Sequence, residues 1–542
     1  MAAMKGSVLL FCFGIPVMLS RIPPQYLGSI LWIAPLLIAI ALVSRLMYWI
    51  VLYPKYFTRL KHLPTPLPRR LLTGNFVTFQ AQELPASMVQ WAKEIPNDGM
   101  IRFYHFFNDE YILLTSTEMI NLVTTKNSEI FNPPQFLVKF LKAVLGIGVQ
   151  PDGHNPQLRQ LRRKGLFQAF SFKRMKELSP LFWEKGVEMA RSMEKEAGAP
   201  DKNGFRPIEA SRWAKMLALD VVGSAATGKD FGSLQDPGSL LNQNYRQLLA
   251  PLTGFRQLLR VMSRYVSPDL LRRIPTKQSR RQAAAYSYVK NFALQVFAER
   301  TRRVEQGEEL EPDAISLAIN TGAFEEKDRI FALMFILLTG HETTAATISW
   351  SIYALCKFPE VQSRLRAELS AAFPSIKSGD GLCIDGATLG ALPYLQAFCK
   401  EIFRYYPSIQ ILLREALTNS TIHGTFIANG TKLAIPVSIF NRSLDVWGPD
   451  ADEFNPDRWI GEANSKSGGA SSSFGYATFG FGAGSCIGVA LAKTELPSVV
   501  AALVLKLEFE WDGSVDDIEL VYGVGTMSLK TGFTVKIKPV GE

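Results

Sequence analysis

One cysteine of the chain lies in a setting that favours metal chemistry. The segment Phe479–Gly488 reads FGFGAGSCIG, with Cys486 near its end. Its closely spaced glycines free the backbone to adopt positive φ and to approach a flat ligand closely. The apolar run Ile487–Leu503 that follows is predicted to be helical, and a helix N-terminus stabilises a thiolate. Such a thiolate, bound to a haem iron, donates electron density that favours cleavage of an O–O bond.

Other uses of a glycine-rich loop fail here because of the residues at key positions. A dinucleotide fingerprint would need its third glycine where Ser485 or Ile487 stands. A phosphate-binding loop would need a GK[ST] ending, which the segment lacks. For this loop taken alone, a glycine turn ahead of a helix with an inert cysteine remains the alternative.

A second polar group interrupts a long apolar helix. The segment Leu337–Thr347 reads LLTGHETTAAT. Burial of Glu342 and Thr343 costs free energy unless they have hydrogen-bond partners, so their presence suggests a functional role. Gly340 weakens the helix, and a threonine hydroxyl bonded to a backbone carbonyl can bend it. An acid–alcohol pair could deliver protons to dioxygen. The zinc motif HExxH is excluded because Ala345 replaces its second histidine, whereas a buried polar patch remains the alternative.

Three more charged residues lie in two short motifs of the second half of the chain. Glu401 and Arg404 lie one helical turn apart, and Arg458 follows later in the element FNPDRW. Alone, such a pair is usually a solvated surface pair. A triad of two arginines and one glutamate pairs its charges, which makes burial tolerable.

Together these motifs resemble the cytochrome P-450 family. The haem-binding signature of that family is Phe-x-x-Gly-x-Arg-x-Cys-x-Gly. Phe479, Gly482, Cys486 and Gly488 match it, whereas Gly484 replaces the basic residue that contacts a haem propionate. The resemblance implies that Cys486 is the axial ligand of the iron of haem b.

The helix motif is similar to the family pattern Ala/Gly-Gly-x-Asp/Glu-Thr-Thr/Ser, with Thr339 in place of the first small residue. The resemblance implies that Glu342 and Thr343 steer protons to dioxygen at the haem. The further roles that it implies are propionate contacts by Arg159, Arg163 and Arg414, a structural network of Glu401, Arg404 and Arg458, and a substrate pocket formed by Phe335, Thr339, Ile409, Ile411, Leu412 and Met527.

The N-terminal region predicts a membrane anchor. Tyr26–Val43 carries no charge, and about 20 apolar residues cross a bilayer as a helix. Basic residues are more frequent after this segment than before it, which predicts a cytosolic body. We predict an anchor in residues 1–53, a basic and proline-rich hinge in 54–68 and a catalytic domain in 69–542. A further apolar segment, 8–19, leaves one or two membrane passes open, and a buried core helix is the alternative for the main segment.

Composition limits the class of protein. With 542 residues, 47% hydrophobic and 20% charged, the chain can bury a large core. Five scattered cysteines without a CxxC pair argue against a disulfide framework and for a reducing compartment. The Asn-x-Ser/Thr matches at Asn419, Asn429 and Asn441 are then chance matches. The net charge of +10 is not clustered as in nucleic-acid-binding proteins, and it fits an acidic protein partner or an anionic lipid surface.

Periodicity predicts a mainly α protein with small β-sheets (α+β). The resemblance implies the cytochrome P-450 fold, here preceded by the predicted transmembrane helix. The helices include Met175–Glu194, Arg212–Ala226, Gln278–Arg303 and Asp328–Cys356. The strands are a hairpin of Met100–His105 and Tyr111–Leu114, followed by Ile409–Leu413, Lys432–Ile435 and Phe533–Ile537.

The resemblance implies a monooxygenase that inserts one oxygen atom from O2 into a lipophilic small molecule. NADPH would supply electrons through a separate membrane reductase, since no flavin or nicotinamide segment is visible. The anchor, the LPTPLP segment and the HETT core are most similar to fungal microsomal members of secondary metabolism, at the endoplasmic reticulum membrane with the body facing the cytosol. The alternatives are a haem-thiolate isomerase, dehydratase or coupling enzyme, and a non-catalytic haem-binding sensor or electron carrier.

Overall fold

Most of the described residues are helical, as the helical spacing of apolar side chains predicts. The computed structural model describes residues 24–67, 69–75, 84–138, 156–249, 276–308, 313–320, 324–374, 384, 386–462, 464–511, 513, 520–522, 526–529 and 532–541. Side chains are described for these except 24–34, 84, 156–159, 326–327 and 521–522. The apolar segment 8–19 and the side chain of Arg159 therefore lie outside the described residues.

The α-helices follow one another with few strands between them. In chain order they are α1 Pro24–Met47, α2 Leu84–Glu94, α3 Thr117–Asn121, α4 Pro156–Phe167, α5 Phe172–Glu177, α6 Ser179–Glu196, α7 Ala210–Thr227, α8 Leu240–Leu248, α9 Lys277–Glu305, α10 Ala314–Asn320, α11 Glu326–Lys357, α12 Pro359–Ala372, α13 Gly386–Gly390, α14 Pro393–Tyr405, α15 Val437–Asn441, α16 Leu444–Trp447 and α17 Val489–Lys506.

The strands form small sheets from segments far apart in the chain. They are β1 Met100–Tyr104, β2 Glu110–Leu114, β3 Phe131–Asn132, β4 Arg206–Glu209, β5 Ile411–Ala416, β6 Ser420–Ile422, β7 Thr425–Ile427, β8 Lys432–Pro436, β9 Leu507–Trp511, β10 Leu520–Tyr522, β11 Met527–Leu529 and β12 Thr534–Pro539. Strand β8 pairs with β2 in parallel and with β5 antiparallel. Strand β12 lies between β4 and β9, antiparallel to both.

The chain divides into two units, which are described separately. The first comprises residues 1–77 and 102–110, and the second comprises 78–101 and 111–542. The core of the second unit includes α7, α11 and α17, whose side chains are largely buried. A Cβ atom at Gly340 of α11 would lie 2.5 Å from Cγ2 of Val222 in α7. Glycine at this position therefore permits the close contact between the two helices.

Two helical segments have the length and apolar composition to cross a membrane. In the first unit, the apolar 18-residue stretch within Pro35–Phe57 has no buried residues, which fits the predicted transmembrane helix. In the second unit, 44% of the equivalent apolar 18-residue stretch within Asp328–Lys357 is buried. This second segment is therefore the interior helix α11 of a folded body.

The end of the apolar helix is held by polar contacts inside the first unit. Helix α1 continues into a π-helical segment, Tyr48–Phe57, which contains Pro54. Asn108 donates to the carbonyl of Ile50 at 2.6 Å, and the Tyr104 hydroxyl donates to the carbonyl of Pro54 at 3.2 Å. The predicted boundaries at residues 53 and 68 stay predictions, but these contacts join Ile50 and Pro54 to residues 102–110 within the first unit.

The predicted elements agree with the structure in type more often than in exact extent. The four segments Met100–His105, Tyr111–Leu114, Lys432–Ile435 and Phe533–Ile537 all contain strands. The helical segment predicted over Met175–Glu194 corresponds to two helices, α5 and α6, which are separated at Leu178. The mainly α fold with small sheets is confirmed.

Candidate functional site

The cysteine loop has a backbone that only glycine tolerates at key points. Gly480 and Gly482 have φ of 68° and 61°. A Cβ atom at Gly482 would also lie 2.4 Å from the carbonyl oxygen of Thr124. The amide of Cys486 donates to the carbonyl of Phe479 at 2.8 Å, which closes the loop. The loop therefore holds the cysteine in one fixed place ahead of α17.

Cys486 is accessible, unlike the other cysteines whose side chains are described. Cys356 and Cys399 are buried, whereas Cys486 is exposed. Desolvation raises the pKa of the Cys486 thiol, while the amide of Gly488 and the guanidinium of Arg163 lower it. A cation bound to the sulfur would add the stabilisation that a free thiolate lacks.

The protein around Cys486 fits a metal whose other ligands come from a cofactor. Among the described residues, no group of three or more His, Cys, Asp or Glu side chains could hold a metal ion. A haem needs one protein thiolate and counter-charges for two propionates. The cysteine loop supplies the thiolate, and two arginines lie beside the loop.

Arg163 and Arg414 approach the cysteine loop from different elements. Arg163 of α4 donates to the backbone carbonyl of Ser485 at 2.7 Å and to its hydroxyl at 3.1 Å. A Cβ atom at Gly484 would lie 3.2 Å from Nη2 of Arg414 in β5. The guanidinium of Arg414 therefore occupies the space beside the position where Gly484 departs from the family signature. Arg159 also belongs to α4.

The predicted acid and alcohol lie in the middle of α11. The Thr343 hydroxyl donates to the carbonyl of Thr339 at 2.7 Å, and the carbonyl of Thr343 accepts from Ser408 at 3.1 Å. Glu342 is half-buried and lines a cavity of about 900 Å³. Thr343 is not among the residues described as lining that cavity.

The predicted pocket residues come partly together. Thr339 is exposed and Phe335 half-buried, one turn apart on α11. Residues Ile409 and Thr526 form a β-bridge, and the amide of Met527 donates to Ser408 at 2.7 Å. Leu412 lies against the cysteine loop, with its Cδ1 atom 3.8 Å from the Cβ position of Gly480. The half-buried Ile411 begins β5.

The charged triad is a buried network. Two nitrogens of Arg404 donate to the two carboxylate oxygens of Glu401 at 2.8 and 2.7 Å. Arg458 donates to Glu401 at 3.2 Å, and Trp459 adds a bond of 2.9 Å that the sequence motif did not reveal. Glu401 and Arg404 both have 0% exposure.

Asn441 connects this network to the cysteine loop, and no motif in the sequence predicted this role. Its amide donates to the carbonyl of Arg404 and to the Thr478 hydroxyl, each at 2.8 Å. Its side-chain oxygen accepts from the amide of Ala477 at 2.7 Å. The network therefore fixes the residues that lead directly into Phe479.

Glu495 is a second residue that sequence reasoning missed. It is buried in α17, and one carboxylate oxygen accepts a long bond of 3.4 Å from the Thr344 hydroxyl of α11. The other oxygen has no hydrogen-bond partner among the described residues. Burial raises the pKa of Glu495 to about 8, although the bond from Thr344 opposes the shift.

This raised pKa predicts that stability falls as pH rises. The folded state holds a proton on Glu495 up to about pH 8, whereas the unfolded chain releases it near pH ~4.3. Across that window the carboxyl should reduce the free energy of unfolding by at most roughly 1.4 kcal/mol per pH unit. Thermal unfolding of wild type and Glu495→Gln from pH 5 to 9 measures the effect.

The variant Glu495→Gln should lose less stability than wild type over this range. Exposed Glu508, replaced by glutamine, is the matched control and should follow wild type. Parallel curves for wild type and Glu495→Gln would show that the carboxyl does not titrate in this window.

Comparison with known proteins agrees with this site. The cytochrome P450 family model matches residues 64–535. Cytochrome P450 monooxygenase sphH of Aspergillus fumigatus is 37% identical over 521 residues, which cover 95% of this chain and 94% of the relative. Cytochrome P450 monooxygenase FSL4 of Gibberella zeae is 34% identical over 86% of this chain and 85% of the relative. Cytochrome P450 monooxygenase FUM15 of Gibberella moniliformis is 29% identical over 92% of this chain and 91% of the relative.

These similarities extend over nearly the whole chain and include the cysteine loop and the α11 motif. The predicted haem-thiolate monooxygenase class is confirmed, with haem b as cofactor and NADPH electrons that arrive through a redox partner. The chain therefore belongs to the cytochrome P450 family.

Proposed function

We propose that this chain inserts one oxygen atom from O2 into a lipophilic small molecule and releases the other as water. The observation that carries the proposal is an exposed Cys486 on the glycine-rich loop, whereas the other cysteines that the structure describes, Cys356 and Cys399, are buried. Hydroxylation or a related oxidation is the proposed outcome. Purified protein supplied with NADPH, a reductase and a candidate substrate tests it, and an oxygen-18 label from O2 should appear in the product.

We assign four residues of the loop a role in holding haem. Cys486 binds the iron, while Phe479, Gly482 and Gly488 shape the loop against the porphyrin. Arg163 and Arg414, which lie beside Gly484 and Ser485, pair with the propionates, and Arg159 on the same helix as Arg163 does so too. Bound haem supplies the redox chemistry that activates dioxygen.

Glu342 and Thr343 are the proposed proton donors of the reaction. A carboxyl beside a cavity can exchange protons with water, and an adjacent hydroxyl can pass them on. In this structure Thr343 donates to the carbonyl of Thr339, so its hydroxyl must turn from that bond to act.

Thr343→Ala should divert electrons from product to hydrogen peroxide. Loss of the hydroxyl slows proton delivery, and general acid catalysis of this kind contributes about 100-fold or more. We expect peroxide to account for most of the NADPH consumed, with the haem spectrum unchanged. The control Thr347→Ala removes a hydroxyl one turn away, which donates to the carbonyl of Thr343. Equal coupling in wild type and Thr343→Ala would rule out the proposed role.

The substrate pocket is assigned to Phe335, Thr339, Ile409, Leu412 and Met527, with Ile411 beside them. Their apolar character suits a bulky lipophilic molecule. Secondary metabolism is the proposed context, because the relatives reported above are fungal P450 monooxygenases. Comparison of metabolites before and after deletion of the gene identifies the precursor that accumulates. Reconstitution of the protein with that precursor then tests whether it is the substrate.

The redox partner is proposed to be an NADPH-dependent flavoprotein reductase of the membrane. The net charge of +10 favours an acidic docking surface on that partner. A protein partner recognised by charge should lose affinity as salt screens the interaction. Reductase-supported turnover should therefore fall with rising ionic strength.

We propose the endoplasmic reticulum membrane as the location, with lipid around Pro35–Phe57 and the body in the cytosol. The described part of this segment exposes apolar side chains. Residues 1–53 form the proposed anchor, 54–68 the hinge and 69–542 the catalytic domain.

Deleting residues 1–63 should release the protein from membranes while haem stays bound. The proposed haem contacts all lie in the second unit, far along the chain from the deletion. Membrane fractionation and the haem absorption spectrum measure the two effects. Loss of haem on deletion would contradict the proposed boundary, and retention on membranes would show a further lipid contact.

Two alternatives are separated by spectroscopy and kinetics. A sensor or electron carrier with both axial positions occupied would not bind carbon monoxide when reduced. An isomerase, dehydratase or coupling enzyme would bind it but would not transfer labelled oxygen to the product. The acid–alcohol pair at Glu342 and Thr343 favours the monooxygenase.

A further inference from the structure

A large cavity with several charged residues in its wall lies beside α11 in the second unit. It has a volume of about 900 Å³ and is lined by residues of α7, α8, α9, α11 and β11. A cavity of about 110 Å³ shares Arg212, Lys215, Arg246 and His341 with it. An uncharged hydrocarbon would not satisfy this many polar groups.

Positive charge exceeds negative charge on the wall of the larger cavity. Its cations are Arg212, Lys215, Arg246 and Arg281, and Glu342 is the carboxylate among its described lining residues. Arg212 is paired with Glu196 outside this lining. Lys215 interacts electrostatically with Glu209 and Glu342.

Arg246 and Arg281 are the two cations left for a ligand. Within the described part of the chain, neither forms an ion pair, and both are exposed. A guanidinium group presents paired N–H donors that match the two oxygens of a carboxylate. The rim of the cavity therefore has the donors that an anionic group needs.

Two buried residues that line the smaller cavity, His341 and Tyr245, each have one polar side-chain atom without a hydrogen-bond partner among the described residues. His341 and Tyr245 are 4% and 2% exposed, and their rings lie 5.6 Å apart. Neither Nδ1 of His341 nor the Tyr245 hydroxyl has a hydrogen-bond partner among the described residues. Burial and the nearby Lys215 lower the pKa of His341 to about 3, so the ring is neutral. Buried polar groups of this kind indicate bound water or a polar group of a ligand.

Part of the cavity wall comes from residues close in sequence to the proposed reaction site. Ala345 and Ala346 of α11 form an apolar part of its wall, and Ala346 lies one turn from Thr343. Ser528 and Leu529 of β11 also line it, directly after the pocket residue Met527. The wall of the cavity thus combines a cationic rim with small apolar side chains, one of which lies one helical turn from Thr343.

We propose that this cavity binds the acidic end of the substrate, a lipophilic molecule that carries a carboxylate recognised by Arg246 and Arg281. The proposal rests on the function given above, since it names the class of its substrate. The apolar part of the molecule lies along Ala345 and Ala346 toward Thr343. Lys215 screens Glu342 from the bound carboxylate.

Binding of three matched ligands to the haem-loaded full-length protein tests the proposal without turnover. Decanoic acid, 1-decanol and decylamine share one chain and differ in their end group. We expect decanoate to bind about 10-fold tighter than decanol, as a hydrogen bond to a charged group implies. Calorimetry and the change in haem absorption give the affinities.

Variants then locate the anionic end. Arg246→Gln and Arg281→Gln should each lower the affinity for decanoate about 5-fold or more and leave decanol unchanged. Arg280→Gln is the matched control, because Arg280 is an exposed neighbour outside the described lining of the cavity. The preference should also weaken with salt, since the rim is exposed.

Each outcome bears on one proposal. Equal binding of decanoate and decanol, tighter binding of decylamine, or an unchanged preference in both variants would overturn the carboxylate site. A preference for decanoate without any labelled product would retain the site and overturn the monooxygenase reaction. Labelled product that forms only from uncharged substrates would retain the monooxygenase reaction and overturn the carboxylate site.

Discussion

Reduced protein carrying Cys486→Ala should lack the absorption band that thiolate-bound haem gives with carbon monoxide. Product formation supported by NADPH should fall at least 1000-fold, since every later step needs the sulfur as a donor to iron. The side chain is exposed on its loop, so its loss leaves the hydrogen bond between the Cys486 amide and Phe479 in place. The loss should therefore be one of ligation and not of folding.

The other two described cysteines provide the controls for this experiment. Cys356→Ala and Cys399→Ala remove buried thiols from the core and should keep the band, at a cost in stability of about 1 kcal/mol. An unchanged band in Cys486→Ala would contradict Cys486 as the iron ligand. Loss of the band in one control alone would indicate that the cysteine replaced there is the ligand.

Arg404→Met should be the most destabilising single change outside the cysteine loop. Arg404 is fully buried and bonds both oxygens of Glu401, so its removal leaves a carboxylate without its main counter-charge. It also donates to the backbone carbonyls of Asn441, Ala451 and Glu453. Breaking a buried ion pair in this way costs about 3–5 kcal/mol.

Thermal unfolding and haem content measure the effect, with Arg364→Met as the control. Arg364 pairs with Asp457 at 2.8 Å, but both side chains are about half exposed, so its loss should cost about 1 kcal/mol or less. Because Asn441 carries the network to Ala477 and Thr478, Arg404→Met should also lower haem retention. Similar unfolding midpoints for the two variants would mean that the network adds little to stability.

Local patterns predicted the parts of this protein that depend on local physics. The apolar periodicity on both sides of Glu342 predicted Asp328–Cys356, and the helix is Glu326–Lys357. The glycines before Cys486 predicted a loop with positive φ, and Gly480 and Gly482 adopt it. These features follow from neighbouring residues, which the sequence displays directly.

The missed features depend on contacts between distant segments. Asn441 has an ordinary sequence context, yet it bonds Arg404 and Ala477 because α14, α15 and the cysteine loop meet there. Glu495 lies at one position of an apolar helix, and only the packing of α17 on α11 shows that it is buried beside Thr344. A single sequence contains no measure of such distances.

The contacts at the end of the apolar helix offer guidance for protein engineering. A soluble version that starts at Pro64 would discard the carbonyls of Ile50 and Pro54, which Asn108 and Tyr104 use in the first unit. It would also discard Thr58, whose hydroxyl donates to Glu110 at 2.8 Å. A version that starts at Leu46 would keep all three bonds, although it would also keep a few exposed aromatic side chains. It should be the better choice for crystallisation in mild detergent.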